Sequence, residues 1–250
     1  MPGLIDAPSG NHSPREAAVA HLVLHHTAQP LDVSLDLLRF GRVSAHYVVD
    51  VNGDVYRLVD EDRTAWHAGL SWWGRARALN GTSIGIEIVN LDGNVHDYPD
   101  AQRRAVIRLC REILGRHCGI AAGNVVGHSD IAPKRKDDPG GRFFWRALAE
   151  AGVGLWPEAR PAADDADGTA LLGLLRQIGY PPPHRYGTRD GRFAYVDDGD
   201  EAGFSDIVEV GPADIITAFQ RRFRPARIDG RADAECLGLA RALDAALARA

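Results

Sequence analysis

The sequence predicts an α/β fold with a central mixed β-sheet flanked by helices, followed by a small C-terminal domain of three helices. Short apolar runs rich in β-branched residues alternate with helical patterns over the first 160 residues, which is typical of a sheet covered by helices. Residues 156–168 are rich in Pro, Ala and Asp and have no periodicity, as expected of a linker. Three amphipathic helical patterns follow it. We therefore expect two domains, residues 1–160 and 165–250.

The predicted strands of the first domain are short. The stretch SAHYVVDVNGDVYRLV (44–59) predicts a hairpin, because Asn52-Gly53 between two alternating runs favours a type I′ turn. Further apolar runs of strand length are AHLVLHHT (20–27), SIGIEIVN (83–90) and NVVGHSD (124–130).

Apolar residues at helical spacing predict helices at residues 33–42, 99–119 and 143–152. In the C-terminal domain the three helical patterns are TALLGLLRQIGY, PADIITAFQRRFRP and DAECLGLARALDAALARA. We expect RFAYVDDGDEAG (192–203) to form a loop between the first two of these helices.

The composition is that of an ordinary soluble globular protein, since the 250 residues are 45% hydrophobic and 25% charged. The formal net charge of −5 gives no overall attraction for nucleic acid or for an anionic membrane surface. The cysteines are few and odd in number and lack a C-x-x-C spacing, so they describe neither a disulfide framework nor a thiolate zinc site. The sequence carries no signal for an oligomeric state.

The N-terminal segment MPGLIDAPSGNHSPREA has neither the basic start and apolar core of a secretory signal nor a lipidation cysteine. No stretch approaches the roughly 20 apolar residues of a membrane-spanning helix. We therefore expect no membrane segment and a cytoplasmic location, or a periplasmic one if an export signal has been removed.

Glu87 is an unusual residue for its position in the predicted strand 83–90. Its side chain faces away from the isoleucines at positions 84, 86 and 88, in a run that is otherwise apolar. An ionised carboxylate buried without a partner costs several kcal/mol or more. Glu87 is therefore paired, protonated or facing a wet site, and its structural interpretation is a salt bridge to an arginine of the core.

Other ionisable residues cluster at the ends of two more predicted strands. His25 and His26 end the first strand, and strand neighbours face opposite ways, so at most one of them joins a given site. His128 closes a later strand, and the loop after it holds Asp137 and Asp138 before a Pro-Gly turn. Taken singly, these are hydrogen-bonded histidines and a solvated charged loop. Two imidazoles and one carboxylate together form a ligand set that leaves a metal's fourth position open for water.

Five blocks of the chain resemble, in order, the zinc-dependent N-acetylmuramoyl-L-alanine amidases of the AmpD/AmiD family. They are LVLHHTA, SAHYVVD, TAWHAGLSWW, LNGTSIGIEIVN and GHSDIAPKRKDDPGG. The resemblance covers residues 20–157 and implies the fold that this family shares with peptidoglycan recognition proteins. The tail resembles a small peptidoglycan-binding helical domain through AFQRRFRP and DGRADAE, but Cys236 follows Glu235 where that motif usually has Thr.

The resemblance implies a Zn²⁺ site made of His25, His128 and Asp138. It also implies that Glu87 is the carboxylate that handles protons and that Lys136 lies near the developing oxyanion. The implied reaction is hydrolysis of the amide between N-acetylmuramic acid, in its 1,6-anhydro form, and the L-alanine of muropeptides. The expected partners are therefore muropeptides or peptidoglycan fragments.

Further side chains in the matching blocks are candidates for substrate contact. Tryptophans of the long loop before Gly81 can stack on sugar faces, and polar or basic side chains can meet the glycan or the peptide. Each candidate also has a structural interpretation, such as capping a strand, packing within the loop or solvation. The candidates are His46, His67, Trp66, Trp72, Asn80 and Arg75.

Other functions are compatible with parts of the pattern. A peptidoglycan-binding module without catalysis would keep the groove, but here every ligand position and Glu87 are filled. A mononuclear iron oxygenase could use His128-x-Asp130 with His25, but the chain lacks the many short strands of a double-sheet barrel. An exported amidase that acts on intact cell wall is the alternative to a recycling enzyme.

Overall fold

The computed structural model describes residues 4–158 and 168–249. Its strands are β1 (Leu4–Asp6), β2 (His12–Pro14), β3 (His21–His26), β4 (Tyr47–Val49), β5 (Val55–Arg57), β6 (Arg63–Ala65), β7 (Trp72–Trp73), β8 (Ala76–Arg77), β9 (Ser83–Ile88), β10 (Val125–Gly127), β11 (His184–Arg189), β12 (Arg192–Tyr195) and β13 (Ser205–Val210). Its helices are α1 (Leu31–Phe40), α2 (Asp100–Arg116), α3 (His128–Ile131), α4 (Trp145–Glu150), α5 (Gly168–Ile178), α6 (Pro212–Phe223) and α7 (Ala234–Leu247).

Within the described residues, the central sheet has six strands in the order β1-β5-β4-β9-β3-β10. The pairs β4–β9, β9–β3 and β3–β10 are parallel, and β4–β5 is antiparallel, so the sheet is mixed as predicted. Parallel strands are buried on both faces by helices, which explains the near-continuous apolar runs of β3 and β9. The carboxyl ends of β3, β9 and β10 meet at one edge of the sheet.

One face of the sheet packs against α2. The isoleucines of β9, Ile84, Ile86 and Ile88, are fully buried in a cluster with Leu109 and Ile113 of that helix. Burial of each such side chain stabilises the fold by about 1.5–3 kcal/mol. The alternation read from the sequence is therefore confirmed, and it leaves Glu87 on the opposite face.

The opposite face is covered partly by the C-terminal helices. Val23 of β3 and Val126 of β10 belong to one hydrophobic cluster with Leu175 of α5, Phe219 of α6 and Leu243 of α7. The three predicted C-terminal helices are present, and they share this core with the sheet. The predicted linker lies largely in residues 159–167, which are outside the described part of the chain.

Two local predictions are wrong. Of the pair Asn52-Gly53 only Gly53 has a positive φ, +90°, whereas a type I′ turn needs two such residues. Asn52 instead accepts a hydrogen bond from the Asp54 amide through its side chain, at 2.8 Å, and the loop closes between Asp50 and Asp54. Val49 and Val55 bound a loop that is too long for a two-residue turn.

The second error concerns residues 192–203, which were expected to form a loop. Residues Arg192–Tyr195 are strand β12, the outer strand of a three-stranded antiparallel sheet in the order β12-β11-β13. This sheet is inserted between α5 and α6. β12 has only four residues, none of them buried, and Phe193 in it is 59% exposed, so this strand carries no alternation of buried and exposed positions.

A further difference lies at the end of the strand predicted over 124–130. The strand stops at Gly127, and His128 begins the short helix α3. Across the described ranges, none of the helices combines the length and the apolar character needed to cross a membrane.

Candidate metal centre

The candidate site lies where the carboxyl ends of β3, β9 and β10 come together. His25, the fifth residue of β3, is paired in register with Glu87 of β9. Gly127 of β10 pairs with Leu24, so His128 leaves the sheet beside His25. Parallel pairing thus brings together residues that are about 60 to 100 positions apart in the chain. The loop after α3 returns Asp138 to the same edge.

His25, His128 and Asp138 form a compact triangle of donor atoms. The Nδ1 atoms of the two histidines are 3.0 Å apart, and Asp138 Oδ2 lies 3.0 Å from His25 Nδ1 and 3.2 Å from His128 Nδ1. All three residues are buried. A tetrahedral zinc ion with bonds of 2.0–2.1 Å separates its ligand atoms by about 3.3 Å. The observed separations of 3.0–3.2 Å are slightly shorter than this, so the triangle could hold a metal ion of this size after a small outward shift of the donors, with a fourth position left for water.

The hydrogen bonds of the ligands prepare them for a cation. His128 Nε2 lies 3.1 Å from the Ala68 carbonyl oxygen, which can only accept, so Nε2 carries the proton and Nδ1 presents its lone pair. Burial lowers the pKa of His128 to about 4, so the ring is neutral near pH 7. Burial alone would raise the pKa of the Asp138 carboxyl, but His128 and His25 beside it hold that pKa well below its usual range.

Glu87 faces the same space. Its Oε1 lies 4.0 Å from His25 Nδ1, and its side chain is 14% exposed, so the carboxyl group borders the cleft. Burial raises the pKa of Glu87 to about 7, with Asp138 adding to the effect and His25 and Lys136 opposing it. A carboxyl group with such a pKa can exchange protons at neutral pH. Among the described residues, the ion pairs include none between Glu87 and an arginine, so the core salt bridge considered as an alternative is absent there.

The cleft over the triangle has a volume of about 330 Å³. Lys136 and the exposed Asp137 also line it, and the Asp137 carboxylate accepts a hydrogen bond from Asn94. His26 also borders the cleft, but its ring lies outside the triangle. In each pair of neighbours, therefore, only one residue belongs to the triangle: His25 but not His26, and Asp138 but not Asp137.

The predicted substrate-contact residues are dispersed around this cleft. His67 lines the cleft from below. Trp66 is 40% exposed beside it, with its amide donating to Ser44. Arg75 is exposed at the turn between β7 and β8 and is not among the residues that line the cleft. Of these, only His67 contacts a member of the triangle, through a ring nitrogen 3.0 Å from His25 Nε2.

His46 and Asn80 are engaged inside the protein. His46 is fully buried, accepts a hydrogen bond from the Gly85 amide and lies 3.2 Å from the Arg63 carbonyl oxygen. Burial, with Arg15 beside it, lowers the pKa of His46 to about 3. The Asn80 side chain accepts from the amides of His67 and Ala68. Both side chains therefore support the site from beneath, and neither lines the cleft.

Trp72 lies in a different cavity. It lines a pocket of about 440 Å³ between the β7–β8 hairpin and the inserted three-stranded sheet. Its ring contacts those of His184 and Tyr195, with centroids 5.9 and 5.7 Å away. The Arg77 guanidinium is stacked 3.9 Å over the Trp72 ring. The Trp72 side chain is thus buried among protein groups, in agreement with the alternative interpretation that it packs within the loop.

Sequence reasoning missed two polar residues that support the ligands. The Arg135 guanidinium donates to the carbonyls of Ala68 and Leu70 and lies 3.3 Å from His128 Nε2. Ser83 holds His67 through a contact of 3.1 Å. Only the alternation of β9, which puts Ser83 on the same face as Glu87, could have indicated the second residue.

The iron-site alternative required Asp130 as a ligand. Its carboxylate instead accepts hydrogen bonds from the Gly127 amide, the Tyr180 hydroxyl and the Arg222 guanidinium. Asp130 is thus a structural residue.

A mixed sheet with a His-His-Asp triangle and a glutamate at the carboxyl ends of its parallel strands is an arrangement typical of metal-dependent hydrolases. The family model of N-acetylmuramoyl-L-alanine amidase matches residues 15–141, which hold all of these side chains. The chain belongs to this amidase family and is an enzyme of that class.

Individual relatives agree with this assignment. The chain is 38% identical to the N-acetylmuramoyl-L-alanine amidase AmiD of Escherichia coli strain K12, over 89% of this chain and 81% of AmiD. A solved complex of E. coli AmiD with anhydro-N-acetylmuramic acid-L-Ala-D-gamma-Glu-L-Lys superposes with a TM-score of 0.73 at 36% identity, covering 94% of this chain and 91% of AmiD. AmpDh3 of Pseudomonas aeruginosa with anhydromuramic pentapeptide gives a TM-score of 0.73 at 35% identity, covering 91% and 92%.

Proposed function

We propose that this protein is a zinc-dependent amidase that cleaves the bond between N-acetylmuramic acid and the L-alanine of muropeptides. The observation that carries the proposal is the triangle of His25 Nδ1, His128 Nδ1 and Asp138 Oδ2, with Glu87 at 4.0 Å from His25. The neutral nitrogen donors and the single carboxylate are the ligand types that zinc prefers in hydrolases.

Zinc bound at this triangle would make hydroxide available from water near neutral pH and would polarise the scissile carbonyl group. Glu87 takes the proton of the attacking water and returns it to the L-alanine nitrogen as the amide bond breaks. Lys136, which also lines the cleft, donates to the carbonyl oxygen as negative charge develops on it. The products are the free peptide and the amino sugar with its lactyl carboxylate.

We propose 1,6-anhydro muropeptides as the substrates. The solved complexes of AmiD and of AmpDh3 with anhydromuramic peptides, at 36% and 35% identity, support this choice. Trp66 and Arg75 are the predicted substrate-contact residues that remain exposed; Trp66 precedes His67 of the cleft lining, whereas Arg75 is outside that lining. We assign His46 and Asn80 to support of the site, because their side chains accept hydrogen bonds from backbone amides. We assign Trp72 to packing, because the Arg77 guanidinium stacks on its ring.

Residues 1–160 are the proposed catalytic domain, with residues 165–250 as a helical C-terminal domain. The core that α5, α6 and α7 share with the sheet supports a bracing role for this domain, next to the predicted role in binding glycan. The cytoplasmic location stays a prediction, which cell fractionation with an antibody against the chain would check.

The test is a product assay. Purified protein loaded with one equivalent of zinc is incubated with anhydro muropeptide, with reducing muropeptide and with polymeric cell wall, and free peptide is followed by mass spectrometry. We expect peptide release to be fastest from the anhydro form, to stop with a chelator and to return with zinc. No release from any of these substrates by the zinc-loaded protein would contradict the proposed function.

A further inference from the structure

A chain of side chains runs from the candidate metal ligand His25 into the protein. His25 Nε2 lies 3.0 Å from His67 Nδ1, and His67 Nε2 lies 3.1 Å from the Ser83 hydroxyl oxygen. Ser83 in turn lies 2.7 Å from the carbonyl oxygen of Leu79. Each of the first three residues is buried, so water does not compete for these contacts.

The last member of this chain determines its direction. The Leu79 carbonyl oxygen can only accept, so the Ser83 hydroxyl donates to it and has only lone pairs left for His67. His67 must then donate from Nε2, which leaves its Nδ1 as an acceptor in the neutral ring. His25 therefore carries its proton on Nε2 and presents the lone pair of Nδ1 to the triangle. A backbone carbonyl three contacts away thus selects the tautomer that a metal ligand needs.

Strand β9 is built to hold His67 in this place. A Cβ atom added to Gly85 would lie 2.4–2.6 Å from three ring atoms of His67, so the imidazole lies directly against the backbone of the strand. Ser83, Gly85 and Glu87 alternate along one face of β9. The first anchors His67, the second makes space for its ring, and the third reaches the cleft.

We propose that His67 is a positioning residue that fixes the tautomer and orientation of His25, and that Gly85 and Ser83 act through it. The proposal rests on the proposed function in one respect, namely that His25 binds the zinc ion. It replaces the substrate contact predicted for His67 and gives a chemical reason for the spacing S-x-G-x-E.

Metal affinity separates this role from simple packing. Loss of a hydrogen-bond partner behind a ligating histidine typically weakens metal binding by about 10–100-fold. We expect His67→Leu, which keeps bulk but removes the acceptor, to weaken zinc binding by that factor, measured by competition with a chromophoric chelator. His67→Asn places an oxygen near the position of Nδ1 and should restore most of the affinity. The d–d spectrum of the cobalt-loaded protein should change in His67→Leu and be retained in His67→Asn.

A double-mutant cycle tests whether Gly85 acts through His67. Gly85→Ala should weaken zinc binding about as much as His67→Leu, and the two losses should not add in the double variant. His21→Leu is the matched control. It also removes a buried imidazole, but His21 lies at the start of β3, contacts Thr82 and does not touch the triangle. The His21→Leu variant should bind zinc as tightly as the unaltered protein. Urea unfolding of every variant shows whether a loss of zinc affinity is caused by a loss of folding stability.

The ¹⁵N chemical shifts of the histidine rings, measured by NMR on the unaltered protein, report the tautomers of His25 and His67 directly. We expect both His25 and His67 to be protonated at Nε2. Protonation of His67 at Nδ1, or wild-type zinc affinity in folded His67→Leu, would overturn the positioning role while leaving the amidase proposal in place. Failure of the unaltered protein to bind zinc would overturn both.

Discussion

Arg222 and Asp130 form a buried ion pair, with Nη1 of the arginine 2.8 Å from Oδ2 of the aspartate. Arg222 belongs to α6, and Asp130 belongs to α3, the helix that begins with His128. Tyr180 donates to the other carboxylate oxygen at 2.7 Å, and Arg222 also donates to the Val125 carbonyl. Helix α6 and Tyr180, which follows α5, are thus hydrogen-bonded to the segment that holds a candidate metal ligand.

Removing one partner of this pair should destabilise the whole protein. Arg222→Met leaves the Asp130 carboxylate buried with less compensation, a loss that typically costs about 3–5 kcal/mol. Urea unfolding at neutral pH measures this loss of unfolding free energy. Arg146→Met, which breaks the exposed pair with Glu150, is the control and should change the unfolding free energy little. Equal effects of the two variants would mean that Arg222 is not a structural link.

Glu87→Ala should separate metal binding from catalysis. The carboxyl group is 4.0 Å from His25 Nδ1 and is not part of the triangle, so the variant should bind zinc like the unaltered protein. Loss of a general acid–base group typically lowers turnover by about 100-fold or more. Peptide release and zinc content are measured on the same preparation. Unchanged turnover would remove Glu87 from the mechanism.

The chain offers matched neighbours for testing the ligand set. Asp138→Asn should abolish tight zinc binding, because the carboxylate lies 3.0 and 3.2 Å from the two Nδ1 atoms, whereas Asp137→Asn should not, because Asp137 is exposed. His25→Ala and His26→Ala form a second pair with the same expectation. Isothermal titration of the metal-free proteins with zinc distinguishes them. Loss of binding in Asp137→Asn or His26→Ala would require a different ligand set.

Lys136→Met should lower kcat by about 10²–10³-fold with a smaller change in KM, because the ammonium group is needed as charge develops on the carbonyl oxygen. Lys134→Met is the matched control. The Lys134 ammonium group donates to the Glu209 carbonyl at 2.8 Å and pairs with Asp214, so it is held away from the cleft. Steady-state kinetics on anhydro muropeptide compare the two. Equal kcat values would exclude an oxyanion role for Lys136.

Glu61 should make the fold sensitive to acid. Burial alone would raise its pKa, but hydrogen bonds from Arg116, His117 and Tyr47 outweigh burial and lower it to about 2. A carboxyl group with a lowered pKa stabilises the folded state above its unfolded pKa of about 4.5, and the contribution disappears as the pH falls toward 2. The stability advantage over Glu61→Gln should be present at neutral pH and shrink as the pH falls from about 5 toward 2. Urea unfolding of both proteins across this range measures it, and a constant difference would contradict the assignment.

The sequence was sufficient for the parts of the site that depend on strand periodicity. Alternation in β9 put Glu87 on the face opposite the isoleucines, and the structure has it there. The same pattern could not choose between His25 and His26, because periodicity alone does not reveal which face of β3 meets the cleft. Family resemblance made that choice, and the triangle of donor atoms is consistent with it.

Side chains on the long loop could not be assigned from the sequence. Trp72 contacts Arg77 and rings from the inserted sheet, whose strands lack a regular alternation of buried and exposed residues. Asn80 binds backbone amides of its own loop, which depends on how that loop folds back. Such contacts between distant segments are invisible to any local pattern.

The hydrophobic cluster that joins Val23 and Val126 to α5, α6 and α7 limits how this enzyme can be shortened or recombined. A protein ending near residue 158 would present valines of the sheet and Ile131 of α3 to water, next to the helix that begins with His128. Grafting a different C-terminal domain onto such a truncated chain would therefore also require a redesigned surface beneath it. In this enzyme the tail is not an interchangeable attachment, because it completes the scaffold on which the chemistry takes place.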